Sequence, residues 1–330
     1  MAQKPDLLII RKVSDRMTAR LSAEFTVHPL FDQPDQAGFL ADHGAAMTAV
    51  LTNGHDGLRP DQMAALPNLK IVSSFGVGYD AIDANAAAER GIVVTHTPNV
   101  LNDEVANTAL LLWFAVSRRL VPNDAYVRAG RWENEGSTPP THSVQDRTVG
   151  IVGLGRIGQA IADRLAVFDS TVVYHSRSQK DVSYRYYADL TEMAADSDVL
   201  ICITPGGPET KHLISKQVIE ALGSDGILVN VSRGSVVDEA ALVKSLRDGK
   251  LGGAGLDVFA NEPKVPEDLF SMANVVLQPH VGSATYETRQ AMGELACENL
   301  IRWVQGGNVL TPVPECRHLS PVATNQDSTP

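Results

Sequence analysis

Three segments in the second half of the chain each set one polar side chain just beyond a short apolar run: ILVNVSRGSVVDE carries Arg233, GLDVFANEP carries Glu262 and VVLQPHVGSAT carries His280. Guanidinium, carboxylate and imidazole together suit the reduction of a carbonyl that lies next to a carboxylate. Hydride addition leaves negative charge on the carbonyl oxygen, so a proton donor must stand beside it, and an imidazole titrates near neutrality. A carboxylate bonded to that imidazole favours its charged form and orients the ring, which is a part for Glu262. Arginine offers a planar fork able to hold the substrate carboxylate and carbonyl oxygen, a part for Arg233. If the apolar runs are parallel strands, all three residues sit at carboxyl ends and border one crevice.

Upstream, TVGIVGLGRIGQAIADRL holds an apolar strand, a glycine turn and a helical pattern in which Ile161, Ala162 and Leu165 face inward. In the turn, Gly153 permits a tight bend, Gly155 lets a pyrophosphate approach the backbone, and Gly158 lets helix and strand pack closely. Leu154, Arg156 and Ile157 complete it, and Arg156 either adds a phosphate contact or is a solvated surface cation. About twenty residues on, where many dinucleotide-binding folds carry an acid for the ribose hydroxyls, the chain reads VVYHSRSQK. Arg177, flanked by Ser176 and Ser178, does the opposite of an acid: its donors and the neighbouring hydroxyls suit a 2′-phosphate. The cofactor expected is therefore NADPH (NADP+).

The elements that must position these groups are two βα arrays. DLLII, EFTVHPL, AAMTAVLTN, NLKIVSSFG and GIVVTHT alternate with helical stretches, and the turns Asn53-Gly54 and Gly76-Val77-Gly78 are expected on one rim. Thr97-Pro98-Asn99 reads as a linker, and Asn102 or Asp103 as the N-cap of a long helix apolar nearly all round, hence buried beneath a domain or subunit contact. GRWENEGSTPPTHS reads as a loop. The second array then runs through TVVYH, DVLICIT, GILVNVS, GGAGLDV and NVVLQPH. From about Glu287 a helical pattern with Met292, Leu295, Ala296, Leu300 and Trp303 on one side is free to return to the first domain. The polar tail from Cys316 is expected to be disordered.

Composition narrows the partners. The chain has 330 residues, 44% of them apolar and 20% charged, with a formal net charge of −11. General attraction to nucleic acid or an anionic membrane does not fit that charge, so an anionic ligand must be captured locally. No run approaches the length of a membrane span. Cys202, Cys297 and Cys316 show no metal-ligand spacing, and an odd count suits a reducing compartment, which points to the cytoplasm and to no metal site.

Taken together, GLGRIG, NVSRGSVVDE, DVFANEP and QPHVGS resemble the D-isomer-specific 2-hydroxyacid dehydrogenases, in particular their glyoxylate/hydroxypyruvate reductase branch, over about residues 45 to 313. The resemblance implies the same roles for Gly153 to Gly158, Arg233, Glu262 and His280. It further implies that the backbone amides of Val77 and Gly78 hold the substrate carboxylate with Arg233 and His280. Thr108, Thr204, Pro205, Val231, Ser232, Asp257 and Gly282 then lie along the cofactor, Asp257 at the nicotinamide carboxamide. The fold class expected is α/β: two doubly wound parallel-sheet domains, a flavodoxin-like substrate domain of residues 1–102 plus 287–330 and a Rossmann cofactor domain of residues 103–286. Family members are typically homodimers joined through the cofactor domain, and those using NAD carry an acid where this chain has Arg177. The activity implied is NADPH-dependent reduction of glyoxylate and hydroxypyruvate. Two alternatives are a reductase of a bulkier 2-oxo acid (phenylpyruvate, hydroxyphenylpyruvate or 2-ketogluconate) and a nicotinamide-sensing corepressor-like protein.

Overall fold

Every strand pair is parallel, as short apolar runs separated by crossover helices require. The computed structural model describes residues 3–320. They divide into two units, the first running to Leu101 and resuming at Thr285, the second spanning Asn102–Ala284.

The first unit holds β1 (Asp6–Ile9), β2 (Thr26–Pro29), β3 (Met47–Asn53), β4 (Ile71–Phe75) and β5 (Val93–Thr95), in the order β2-β1-β3-β4-β5. That is the flavodoxin-like winding. Polar side chains stop its crossover helices from fraying: Ser14 accepts from the Met17 amide at the head of Asp15–Glu24, and Asp83 from Ala86 at the head of Ala84–Glu89. The long helix Tyr286–Gly306 belongs to this unit and buries Met292, Ala296 and Leu300 as the spacing requires. It also buries Cys297 and Ile301, and the Ser73 hydroxyl in β4 donates to the Ala296 carbonyl at 3.1 Å. At the carboxyl ends of β3 and β4, Asn53 pairs with Phe75, and a Cβ on Gly76 would stand 3.7 Å from the Gly54 nitrogen. The two turns do share a rim.

The second unit holds β6 (Thr148–Val152), β7 (Thr171–His175), β8 (Arg185–Tyr186), β9 (Val199–Cys202), β10 (Ile227–Asn230), β11 (Gly253–Leu256) and β12 (Val275–Leu277), in the order β12-β11-β10-β9-β6-β7-β8. This is a Rossmann winding with one added strand. The order reverses at β6, which pairs with β7 on one side and β9 on the other, so the turn after β6 lies at the switch point. The helix Asn102–Ser117 lies on this sheet, and the small residues of β11 make room for it. A Cβ on Gly255 would stand 2.8 Å from the Leu112 Cβ, and one on Gly253 2.6 Å from a Val116 methyl. Leu112 and Trp113 are buried there, while Leu111 is half exposed. Each such buried side chain contributes roughly 2 to 3 kcal/mol of apolar burial.

Two expectations are corrected. Within GRWENEG, Arg131–Glu135 is a helical turn, not loop, closed by a bidentate Arg131–Glu135 pair whose N–O distances are 2.6 and 2.8 Å. The tail is ordered further than its polarity suggested: Pro314–Leu319 is a 3-10 helix in which Cys316 is buried and its thiol meets the Ile92 carbonyl at 3.5 Å. Leu319 packs against the same core and the Ser320 hydroxyl accepts from the Val309 amide at 3.2 Å; the remainder, from residue 321, lies outside the described residues.

Candidate active site

The glycine turn meets each of its three steric demands separately. Gly153 has φ of 104°, and a Cβ there would stand 2.8 Å from the Ile203 carbonyl oxygen. A Cβ on Gly158 would stand 2.2 Å from the Gly153 carbonyl oxygen, so helix Arg156–Leu165 approaches β6 closely only because that position is glycine. Gly155 differs from both, since a Cβ there would meet nothing within 4 Å. That open backbone sits at the helix N-cap, where no side chain caps the first-turn amides. Unsatisfied N–H groups at a positive helix end are what a pyrophosphate would take. Leu154 is buried, Ile157 is half-buried, and Arg156 is exposed.

The basic turn is tied to the glycine turn by backbone, the Gly153 N–H donating to the His175 carbonyl at 2.9 Å. Two tyrosines brace it: the Lys180 amide donates to the Tyr174 hydroxyl at 2.7 Å, and the Tyr186 hydroxyl donates to the Ser176 carbonyl at 3.3 Å. The Ser176 hydroxyl donates to the Ser178 carbonyl at 2.7 Å, so it must turn to meet a phosphate. Arg177 and Ser178 are exposed, and among the described residues no carboxylate pairs with Arg177. The residues fit a dinucleotide: an open glycine backbone, a helix end without a side-chain cap and an exposed guanidinium stand at the ends of the paired strands β6 and β7.

Arg233, Glu262 and His280 follow β10, β11 and β12, adjacent strands of the same sheet. The structure brings Glu262 and His280 together, with imidazole Nδ1 and carboxylate Oε2 at 2.8 Å. A carboxylate only accepts, so Nδ1 carries the hydrogen and Nε2 is left to exchange a proton. The other carboxylate oxygen accepts from the Phe259 amide at 3.0 Å, which fixes the acid relative to its own loop. The His280 side chain is 38% exposed and that of Glu262 only 15%, so the acid is sheltered and the imidazole open. Arg233 is half-buried, with its Nη1 donating to the Ser232 carbonyl at 2.8 Å.

Two side chains that sequence reasoning did not single out for this purpose hold the set in place. Asn230, which ends β10, donates to the Arg233 carbonyl at 3.0 Å and accepts from both the amide and the hydroxyl of Ser232. Asp257, 2% exposed, takes the Val281 amide on one oxygen at 2.7 Å and the Gly282 amide on the other at 2.9 Å, while its carbonyl takes the His280 amide at 2.8 Å. Burial pushes its carboxyl pKa up against the lowering effect of those two amides. The grip holds His280 at φ of 55°, a left-handed conformation unusual for a residue with a side chain. A polar residue closing an otherwise buried strand, as in ILVN and GLD, was the available signal for both.

The other expected cofactor residues are placed unevenly. Thr204 lies against the glycine turn, its methyl 3.0 Å from where a Gly153 Cβ would be, and Pro205 is exposed beside it. Val231 and Ser232 are buried. Thr108 is buried with its hydroxyl donated to the Gly282 carbonyl at 3.1 Å. For Thr108 and Ser232 the hydroxyl is therefore committed within the protein. In the first unit, Val77 and Gly78 are half-buried after β4, and among the described residues neither N–H has an acceptor.

The chain resembles known proteins along nearly its whole length. A profile of the D-isomer specific 2-hydroxyacid dehydrogenase, NAD binding domain, matches residues 110–282. The chain is 46% identical over 308 residues to a hydroxyphenylpyruvate reductase of Plectranthus scutellarioides, covering 93% of this chain and 98% of that one. It is 44% identical, with the same coverage, to glyoxylate/hydroxypyruvate reductase A of Arabidopsis thaliana. Among solved structures, an NADPH-dependent glyoxylate/hydroxypyruvate reductase of Sinorhizobium meliloti in complex with NADP and malonate superposes with a TM-score of 0.90 at 44% identity, over 95% of this chain and 98% of that one.

Proposed function

This chain belongs to the D-isomer-specific 2-hydroxyacid dehydrogenase family, and we propose that within it the enzyme uses NADPH to reduce glyoxylate and hydroxypyruvate to glycolate and D-glycerate. The observation that carries the reading is the His280–Glu262 pair, presented on the sheet that also bears the open glycine turn.

The cofactor, when bound, supplies the hydride. Arg233 holds the carboxylate and carbonyl oxygen of the oxo acid, and the N–H groups of Val77 and Gly78 take the carboxylate. His280 gives the proton on Nε2 to the oxygen as it gains charge, because Nδ1–H is committed to Glu262. Glu262 stabilises the imidazolium before transfer and keeps the tautomer afterwards, and the exposure of His280 lets solvent reprotonate it. Gly153 to Gly158 receive the pyrophosphate, and Arg177 with Ser176 and Ser178 takes the 2′-phosphate. Thr108, Thr204, Pro205, Val231, Ser232, Asp257 and Gly282 lie along the dinucleotide, the buried ones contributing through backbone or by holding their neighbours.

Glu262→Gln keeps the shape of the side chain and removes its charge. We expect kcat to fall about tenfold, roughly 1.4 kcal/mol of lost charge stabilisation, with the KM for NADPH unchanged. An unchanged kcat in steady-state assays would remove Glu262 from the mechanism.

A bulkier substrate is the second reading, favoured by the hydroxyphenylpyruvate reductase relative. The test is a panel of glyoxylate, hydroxypyruvate, pyruvate, 2-ketogluconate, phenylpyruvate and hydroxyphenylpyruvate, each with NADPH and NADH. We expect glyoxylate and hydroxypyruvate with NADPH to exceed the aromatic acids in kcat/KM by about tenfold or more, a difference within reach of pocket shape. The reverse order would replace the first reading with the second, and no turnover on any acid would leave only a sensing role.

Homodimerisation through the second unit goes with this reading. Leu111, Leu120, Val121 and Val127 are each at least half exposed on helices Asn102–Ser117 and Leu120–Arg128, an apolar face suited to a second copy. A cytoplasmic setting is supported by three buried free cysteines. No helix among the described residues is long and apolar enough to cross a membrane.

A further inference from the structure

We propose that His96 is a positioning residue for the substrate carboxylate, acting through the Val77–Gly78 peptide. The proposal rests on the reading that the amides of Val77 and Gly78 take that carboxylate. The imidazole Nδ1 of His96 lies 2.9 Å from the Val77 carbonyl oxygen. A carbonyl only accepts, so Nδ1 carries the hydrogen and donates it. In a trans peptide the carbonyl and the following N–H point to opposite sides. Holding the Val77 carbonyl against His96 therefore turns the Gly78 N–H the other way, into the position where no acceptor among the described residues takes it.

The rest of the turn is arranged so that this one peptide is what His96 controls. The residue before it is fixed by the Thr97 amide, which donates to the Gly76 carbonyl at 2.8 Å. The residue after it is fixed by the Tyr79 hydroxyl, which donates to the Glu315 carboxylate at 3.2 Å. Burial, and then the Glu315 charge, push the Tyr79 phenol up to about 12, so it remains a donor at any working pH. His96 itself is anchored twice to Thr311, its amide donating to the Thr311 carbonyl at 3.2 Å and its carbonyl accepting the Thr311 hydroxyl at 2.6 Å. Fully buried Asn299 holds Thr311 in turn. The Tyr79 ring meets the imidazole edge-on at 5.5 Å, leaving it little freedom to rotate. Two neighbouring N–H groups without acceptors make an anion site only while their peptide planes are held, and the middle plane has His96 as its holder.

The test separates the N–H from the ring. His96→Phe keeps a ring against Tyr79 and has no donor; His96→Asn keeps a donor near the Nδ1 position and has no ring. We expect His96→Phe to raise the KM for glyoxylate about fivefold to tenfold, with kcat changed less than about twofold and the NADPH dissociation constant unchanged, and His96→Asn to stay within about twofold of the parent. His96→Ala serves as a smaller donor-free variant, and thermal unfolding identifies any variant that has lost its fold. An unchanged KM in the folded donor-free variants, or equal impairment of the Phe and Asn variants, overturns the proposal. A chain with an ester in place of the Val77–Gly78 amide lacks the N–H itself. A raised KM there with a normal His96→Phe overturns the positioning role alone, whereas a normal KM in the ester chain overturns the carboxylate reading beneath it.

Discussion

His280→Ala is expected to lower kcat for glyoxylate reduction about 10³-fold while leaving the NADPH dissociation constant within about twofold. The loss is large because no other group is placed to do the work. Among Arg233, Glu262 and His280, arginine does not release its proton at neutral pH, and Glu262 stays tied to its own loop by the Phe259 amide. The dissociation constant should hold because the glycine turn is built from β6 and helix Arg156–Leu165, and Asp257 grips residues 280–282 by their backbone amides, not by the imidazole. Fluorescence titration with NADPH and single-turnover kinetics separate the two effects. A kcat within tenfold of the parent would mean that the proton comes from elsewhere.

Arg177→Ala is expected to lower kcat/KM about 100-fold with NADPH and less than about threefold with NADH, some 2.7 kcal/mol if the guanidinium makes a paired, charge-assisted contact to the 2′-phosphate. The difference between cofactors is the informative quantity, since the two ligands are otherwise alike. Arg177 is exposed and pairs with no acid among the described residues, so removing it should leave stability unaltered. Equal losses with both cofactors would end the phosphate-clamp role. A kinetic comparison at two salt concentrations adds a check, because a charge-assisted contact at the surface weakens as screening increases.

What could be read in the chain, and what could not, divides along the range of the interaction involved. The glycine turn was legible because each glycine answers a local steric demand, and Gly153, Gly155 and Gly158 meet three different ones. The parallel winding followed once the apolar runs were recognised, and Arg233, Glu262 and His280 stood at strand ends for the same reason. The supports were not legible. Asp257 reaches its partners across about 25 residues of chain and His96 reaches Val77 across 19, and no local pattern announces a hydrogen bond between distant loops. The helical turn Arg131–Glu135 was missed because the glycines on either side and the Ser/Pro-rich run after it suggest a loop, whereas one bidentate ion pair four residues apart favours the turn. Cys316 was taken with the polar tail, yet a thiol is among the more readily buried side chains.

The turn that follows β7 hangs from its sheet by main-chain carbonyls, one backbone N–H of the glycine turn and the hydroxyls of two tyrosines. None of these ties uses the side chain of Arg177. The residue proposed to take the 2′-phosphate can therefore be exchanged without disturbing the ties that hold its turn or the His280–Glu262 hydrogen bond. If that proposal holds, redox partnership is a detachable trait: a lineage can move between the anabolic and catabolic nicotinamide pools by altering a surface loop, while the chemistry on the carbonyl stays as inherited.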